Sequence, residues 1–220
     1  VVGRPRQVGC RPRPVARDRA ELREVHASGL EIVGVGLELL PHGVPLALHT
    51  LMRLQMQEGE LIAETLINAN RNLAAYESMG VPVWPDADTD FAGPLSGFLV
   101  GLERCETPYL LTAPCDTPLF PLDLAARLLQ AMERDGADIA MAAAPEADAQ
   151  GQVQVRKQPV FCLIKRDLME SLVAYMNSGG RKIDAWTAQH TTSVVEFDDA
   201  KAFFNANTIA ELHQLEQTGQ

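Results

Sequence analysis

Three short stretches set polar side chains beside Gly or Pro in a way that suits a phosphorylated ligand. One is Pro114-Cys115-Asp116-Thr117-Pro118, directly after the apolar run 109–113. A carboxylate held between two prolines at a strand end is placed to carry Mg²⁺ against a triphosphate, because Mg²⁺ binds through one or two carboxylates plus substrate phosphates. An isolated Asp would serve equally well as a turn cap. Cys115 has no base near it in sequence and reads as a small buried residue. A second stretch, Asn68-Ala69-Asn70-Arg71, presents planar amides carrying both donor and acceptor, which match a base or ribose edge. Taken alone, either Asn reads as a helix cap or turn residue. The third stretch spans residues 86–97. Its carboxylates Asp86, Asp88 and Asp90 lack the Gly and the closing Glu that a calcium loop requires, which excludes that chemistry. Gly93-Pro94 and Ser96-Gly97 let backbone approach a ligand closely, and the helix that follows turns its N-terminus toward the same space.

These residues need elements to position them. Apolar residues recur at helical spacing over 45–57, with Pro45 in the first turn where its missing N–H costs nothing. Short apolar runs at 61–68, 81–84, 109–113 and 138–144 predict strands, and helices are predicted at 72–79, 95–105 and 122–134. Residues 152–165 alternate like a hairpin strand. A helix over 166–177 ends at Gly179-Gly180, a late strand covers 194–197, and a closing helix covers 209–217. Strands alternating with amphipathic helices mean a largely parallel sheet with helices on both faces. Ligands of such sheets bind beyond the carboxyl ends of the strands, where the three stretches fall.

Composition narrows the class. A chain of 220 residues suffices for one α/β domain with a well-buried core. A net charge of −10 argues against nucleic acid as a partner. No apolar run reaches the roughly 20 residues of a membrane helix, and the Arg-rich start is not the pattern of a secretory signal. Cys10, Cys105, Cys115 and Cys162 show no metal spacing and read as reduced thiols of a cytoplasmic protein. The charge is uneven. Residues 1–30 hold seven arginines and three acids, whereas 31–220 hold 12 basic and 26 acidic residues. Residues 1–41 read as an Arg- and Pro-rich, partly disordered segment ahead of one α/β domain at 42–220. A basic arm for an anionic partner is the other reading of that composition.

Taken in order, Asn68-Ala69-Asn70-Arg71, Asp86, Gly93-Pro94-Leu95-Ser96-Gly97 and Cys115-Asp116-Thr117-Pro118 resemble the molybdenum cofactor guanylyltransferases. Gln158-Pro159-Val160, Gly180-Arg181-Lys182 and Phe204-Asn205-Ala206-Asn207-Thr208 extend the resemblance, which covers residues 43–215. It implies a Rossmann-like nucleotidyltransferase fold, a glycosyltransferase-A-like three-layer sandwich with a mostly parallel sheet. It implies Mg²⁺, GTP and a molybdopterin cofactor as reactants, with GMP joined to the pterin phosphate and pyrophosphate released. Carried over, Asn68 and Asp86 contact the guanine nucleotide, Gly93 lines the nucleotide loop, and Asp116 binds Mg²⁺ and is catalytic. Arg181, Lys182, Asn205 and Asn207 face the pterin or its phosphate. Molybdenum cofactor insertion proteins and recipient apoenzymes follow as further partners.

The chain departs from the family at one place. Family members open with a strand running into a Gly-rich loop whose N–H groups and lysine hold the triphosphate. Here residues 28–40 stand in that place, with only Gly34-Val35-Gly36 as a weak cradle, and no lysine precedes Lys157. A shifted reading frame upstream of His42, or real divergence with an early arginine replacing the lysine, would each account for it. Two further readings stay open: a non-catalytic paralogue that binds nucleotide or pterin, and a cytidylyltransferase acting on the same pterin.

Overall fold

Burial periodicity explains the helices first. In α1 (Leu46–Gln55) the buried positions Leu46, Ala47, Thr50, Leu51 and Leu54 form one inward stripe. In α4 (Leu124–Asp135) the stripe is Leu124, Ala125, Leu128, Leu129, Ala131 and Met132, and Gly136 at φ 63° ends the helix. α3 (Pro94–Arg104) starts with Pro in its first turn, after Gly93. α2 (Leu73–Glu77) is a single short turn following Asn72, which adopts the left-handed conformation at φ 54°. The computed structural model describes residues 46–59, 61–86, 93–148 and 150–206, together with the backbone of 30–31.

The strands form two sheets. β1 (Leu30–Glu31), β2 (Ile67–Asn68) and β3 (Val83–Trp84) are parallel and lie in that order. β4 (Tyr109–Leu111), β5 (Ile139–Ala147), β6 (Val153–Lys165) and β7 (Thr192–Glu196) lie in the order β4-β6-β5-β7. β5 and β7 are parallel, and β6 runs against both its neighbours, β4 and β5. The α/β class with a mostly parallel sheet is as the sequence implied, and β6 is the reversed strand that its hairpin-like alternation suggested. The turn before β6 is closed by Asp148, whose Oδ1 accepts from the N–H groups of Gln150 and Gln152 at 2.9 and 2.8 Å. Gly151 at φ 76° lets that turn close.

Alternation along the central strands builds the layers. Leu111, Ala140, Ala142, Phe161 and Leu163 point into one apolar cluster, with α1, α2 and α4. Their sequence neighbours Leu110, Ile139, Met141, Cys162 and Ile164 point into a second cluster, with α3, α5 (Met169–Asn177) and α6 (Ile183–Thr187). Helices therefore cover both faces, and a three-layer sandwich results.

Several boundaries differ from the expected ones. The run 61–68 joins the ladder only at Ile67–Asn68, although Leu61 and Ile62 still pack on the core. The 166–177 helix begins as a 3-10 turn at Arg166–Leu168. α6 was not anticipated, because a five-residue helix is too short for periodicity to reveal. Nor was any strand expected before residue 45. Backbone pairing of Leu30–Glu31 along β2 needs no particular side-chain pattern, so composition does not announce it. Residues 1–29, 32–45 and the 209–217 helix lie outside the described residues.

α3 meets β4 at Gly101, where an added Cβ would stand 2.8 Å from Leu110 Cδ2 and 3.0 Å from Cδ1. Leu110 is fully buried and has little room to yield. Gly101→Val should therefore destabilise the fold by about 1–3 kcal/mol through overpacking. Urea unfolding checks this, and an unchanged midpoint would mean a looser helix–strand contact.

Candidate active site

The loops leaving β2 and β3 are tied to each other by amide–carboxylate bonds. Asn68, buried at the end of β2, donates from Nδ2 to the Trp84 carbonyl at 3.0 Å and to Asp86 Oδ1 at 2.9 Å. Asn70 donates from Nδ2 to Asp86 Oδ2 at 2.8 Å, and its Oδ1 accepts from the Asp86 N–H at 2.8 Å. Asn68 and Asp86 are thus in direct contact, 18 positions apart in sequence. Asn72 then turns the chain sharply into α2, and Tyr76 of that helix returns to the core.

Asp116 follows β4 and is half-buried. Burial raises its pKa above the usual carboxylate value, and a hydrogen bond from the Thr117 hydroxyl partly offsets the rise. Thr117 is fully buried, with Oγ1 3.2 Å from Asp116 Oδ1 and 2.6 Å from Asn205 Oδ1. One hydroxyl proton cannot serve two acceptors at once. An Asn205 amide turned over to donate its NH₂ would release that proton for Asp116. The Ala206 N–H donates to the Asp116 carbonyl at 2.9 Å, which closes the 204–206 segment onto the 114–117 loop. Thr50 of α1 donates to the Cys115 carbonyl at 3.1 Å, and Leu46 packs with Leu119, Phe204 and Ala206. The start of α1, the Asp116 loop and Asn205 accordingly belong to one assembly.

The β2 and β4 ends share a core. Ala69, Tyr76, Ala113 and Cys115 lie in one cluster. The Tyr76 pKa is raised, first by burial and then by the nearby charge of Cys115. Among the described residues, no group of three or more His, Cys, Asp or Glu is placed to hold a metal. A single carboxylate at the end of a strand nonetheless fits Mg²⁺, which takes most of its ligands from water and phosphate.

Gly93 precedes α3 with φ 139°, a conformation that side chains rarely adopt, and open space surrounds the position of its absent Cβ. α3 follows β3 and precedes β4 in the chain, and its N-terminus begins at Pro94. There the helix dipole favours an anion. Arg181 and Lys182 lie between α5 and α6, whose Leu172, Met176 and Trp186 belong to the second cluster, not to the one beneath Asp116. The Arg181 guanidinium donates to the carbonyls of Met176 at 2.9 Å and Gly180 at 2.7 Å. Tyr175 lies flat on Gly180, where a Cβ would overlap its ring, and its hydroxyl donates to the Lys182 carbonyl at 3.1 Å. Asn207 lies outside the described residues.

Other motif residues hold the chain itself. Pro159 sits where the β5–β6 register shifts, a place that tolerates a residue without an N–H. Thr112 donates to the Val160 carbonyl beside it at 2.6 Å. The sequence offers Asn70 only as an amide for a base or ribose edge or as a turn residue, and offers no role for Thr117, because a side chain that acts by holding another leaves no mark in spacing. Cys105, Cys115 and Cys162 are all buried, consistent with structural thiols. Cys10 lies outside the described residues, and among those described no helix is long and apolar enough to cross a membrane.

Residues 36–194 match the MobA-like NTP transferase domain family. A molybdenum cofactor guanylyltransferase of Acidovorax ebreus is 69% identical over 182 residues, covering 80% of this chain and 84% of that protein. One of Bordetella pertussis is 56% identical over 190 residues, covering 86% and 91%. Among solved structures, molybdopterin-guanine dinucleotide biosynthesis protein A of Archaeoglobus fulgidus superposes with a TM-score of 0.63 at 16% identity, covering 86% of this chain and 97% of that one. A 4-diphosphocytidyl-2C-methyl-D-erythritol synthase of Anaerococcus prevotii superposes with a TM-score of 0.69 at 12% identity, covering 91% and 98%. At such identities these two structures share the fold.

The raised pKa of Asp116 makes a stability prediction. The folded chain holds a proton at Asp116 more tightly than the unfolded chain does. The resulting stabilisation is complete below the unfolded carboxylate value and is lost as pH rises through the higher folded value. Asp116→Asn keeps the shape without the charge. It should melt at least as high as the parent at neutral pH, and any advantage should vanish in acid. A clearly lower melting temperature at neutral pH would mean that the carboxylate anchors the turn.

Proposed function

Because the chain belongs to the MobA-like NTP transferase family, and within it to the molybdenum cofactor guanylyltransferases, we propose that it transfers GMP from GTP to molybdenum-loaded molybdopterin. It is a nucleotidyltransferase. The observation that carries the reading is the 69% identity to a guanylyltransferase of that cofactor over most of both chains. A terminal phosphate oxygen of the pterin attacks the α-phosphorus of GTP. That P–O bond forms as the bond to the α–β bridging oxygen breaks, and the electron pair leaves with pyrophosphate. Such an in-line exchange needs positioning and neutralised charge more than a covalent nucleophile.

The residues supply those needs in the following roles. Asn68 and Asp86 hold the guanine nucleotide, and Gly93 lets the chain pass close to it. Asp116 would hold Mg²⁺, and the ion, when bound, would offset phosphate charge. The raised pKa of Asp116 makes cation binding fall off with acid sooner than for an exposed Asp. Asn205, joined to Asp116 through Thr117, meets the pterin or its phosphate, and family resemblance assigns the same role to Asn207, Arg181 and Lys182. Cofactor insertion proteins and recipient apoenzymes complete the set of partners, and the cytoplasm is the location this role implies.

One feature favours a second reading, in which the chain binds its ligands without turnover. No lysine precedes Lys157, so the family's N-terminal phosphate grip is lacking. A preorganised group on transition-state charge is worth on the order of 100- to 1,000-fold in rate. The chain should therefore transfer GMP slowly, and a family-type Gly-rich loop with its lysine, grafted ahead of His42, should raise turnover by about that factor. Formation of the pterin dinucleotide from labelled GTP and Mg²⁺ is the measurement, with CTP as the competing donor. Equal turnover by chain and graft would assign the lysine's task to an early arginine. Faster transfer from CTP would replace guanylyl by cytidylyl transfer.

A further inference from the structure

A carboxylate selects a base only if its plane is fixed, since a rotating one offers lone pairs in every direction. Asp86 is gripped on both oxygens. Asn68 Nδ2 stands 2.9 Å from Oδ1, and Asn70 Nδ2 stands 2.8 Å from Oδ2. An ionised carboxylate has about four acceptor sites, so each oxygen keeps one after these two bonds.

Guanine presents two adjacent donors, the ring N1–H and the exocyclic N2 amino group. Adenine and cytosine each set a ring-nitrogen acceptor beside an amino donor. A fixed carboxylate accepts from both guanine donors, whereas either other base leaves an acceptor facing an oxygen, unpaired.

The two asparagines are not equivalent. Asn68 is buried and also bonds the Trp84 carbonyl, so it serves the sheet as well as Asp86. Asn70 is exposed and, among the described residues, directs its amide at Asp86 alone, bonding the carboxylate with Nδ2 and the backbone N–H with Oδ1. It therefore fixes both the carboxylate plane and the backbone at Asp86. We infer that Asn70 is a positioning residue for base selection: it aims the Asp86 carboxylate at the paired donors of guanine. This rests on the proposed role of Asn68 and Asp86 as guanine-nucleotide contacts.

Inosine triphosphate separates this role from a merely structural one, because it keeps the ring N1–H and lacks the N2 amino group. Calorimetry on the full chain with Mg²⁺ compares GTP and ITP for the parent, Asn70→Ala and Asn70→Asp. The parent should favour GTP. Asn70→Ala should lose about tenfold in GTP affinity, the scale of one hydrogen bond, and lose less for ITP, so the GTP:ITP ratio falls toward one. Asn70→Asp keeps the shape but turns an acceptor onto Asp86, and should lose at least as much. Melting temperatures should stay at the parent value, because Asn70 is exposed. Variants that keep the parent's ratio, or that lose GTP and ITP equally, overturn the inference and leave the guanylyltransferase reading standing. A parent chain that binds GTP no better than ITP or ATP overturns both.

Discussion

Strands β4, β5 and β6 are covered on both faces, and this constraint governs where everything else can go. Each residue along their inner stretches must be apolar whichever way it points. Ala140, Ala142 and Ala144 point toward α4, and the larger Ile139 and Met141 point toward the α3 and α5 side. Small residues on one face let a helix approach, and larger ones fill the wider gap on the other. With both faces closed, polar chemistry is confined to the loops at the strand ends, as in other α/β sheets.

At those ends, polar groups that are buried must find partners or carry a large cost. Asn68 bonds Trp84 and Asp86, and Thr112 bonds the β6 backbone at Val160. Thr117 reaches Asp116 and Asn205. The same bonds that satisfy these groups also orient the two carboxylates proposed to meet the nucleotide. Stability and preorganisation thus come from one set of contacts. Asp116 is the exception that suggests use, since burial works against its charge and a bound cation would relieve that opposition.

Residues that share a motif divide by task. Pro159 and Val160 shape a shift in the β6 register, and Gly180 makes room for the Tyr175 ring. Asn68, Asp86 and Asp116 stand in the segments that end or follow strands instead. A motif therefore mixes positions of different tasks, and its letters alone do not separate them. The acid excess after residue 30 would sharpen the need for a cationic counterweight near the triphosphate of the proposed donor.

Local chemistry alone determined a good part of this protein. Helical stripes at α1 and α4, the apolar strands, and the Gly and Pro punctuation around Asp86, Gly93 and Asp116 depend on near neighbours, so they were legible in the sequence. The order of motifs then pointed to the family. Tertiary structure decided what depends on distant residues meeting. It set β6 between β4 and β5 and paired Leu30–Glu31 with β2. It buried the short α6 through Trp186. It joined Thr117 to Asn205 across 88 positions, and closed Asn70 onto Asp86 across 16. A hydrogen bond between loops is set by the packing of the elements that carry them, and spacing along the chain holds no record of that geometry.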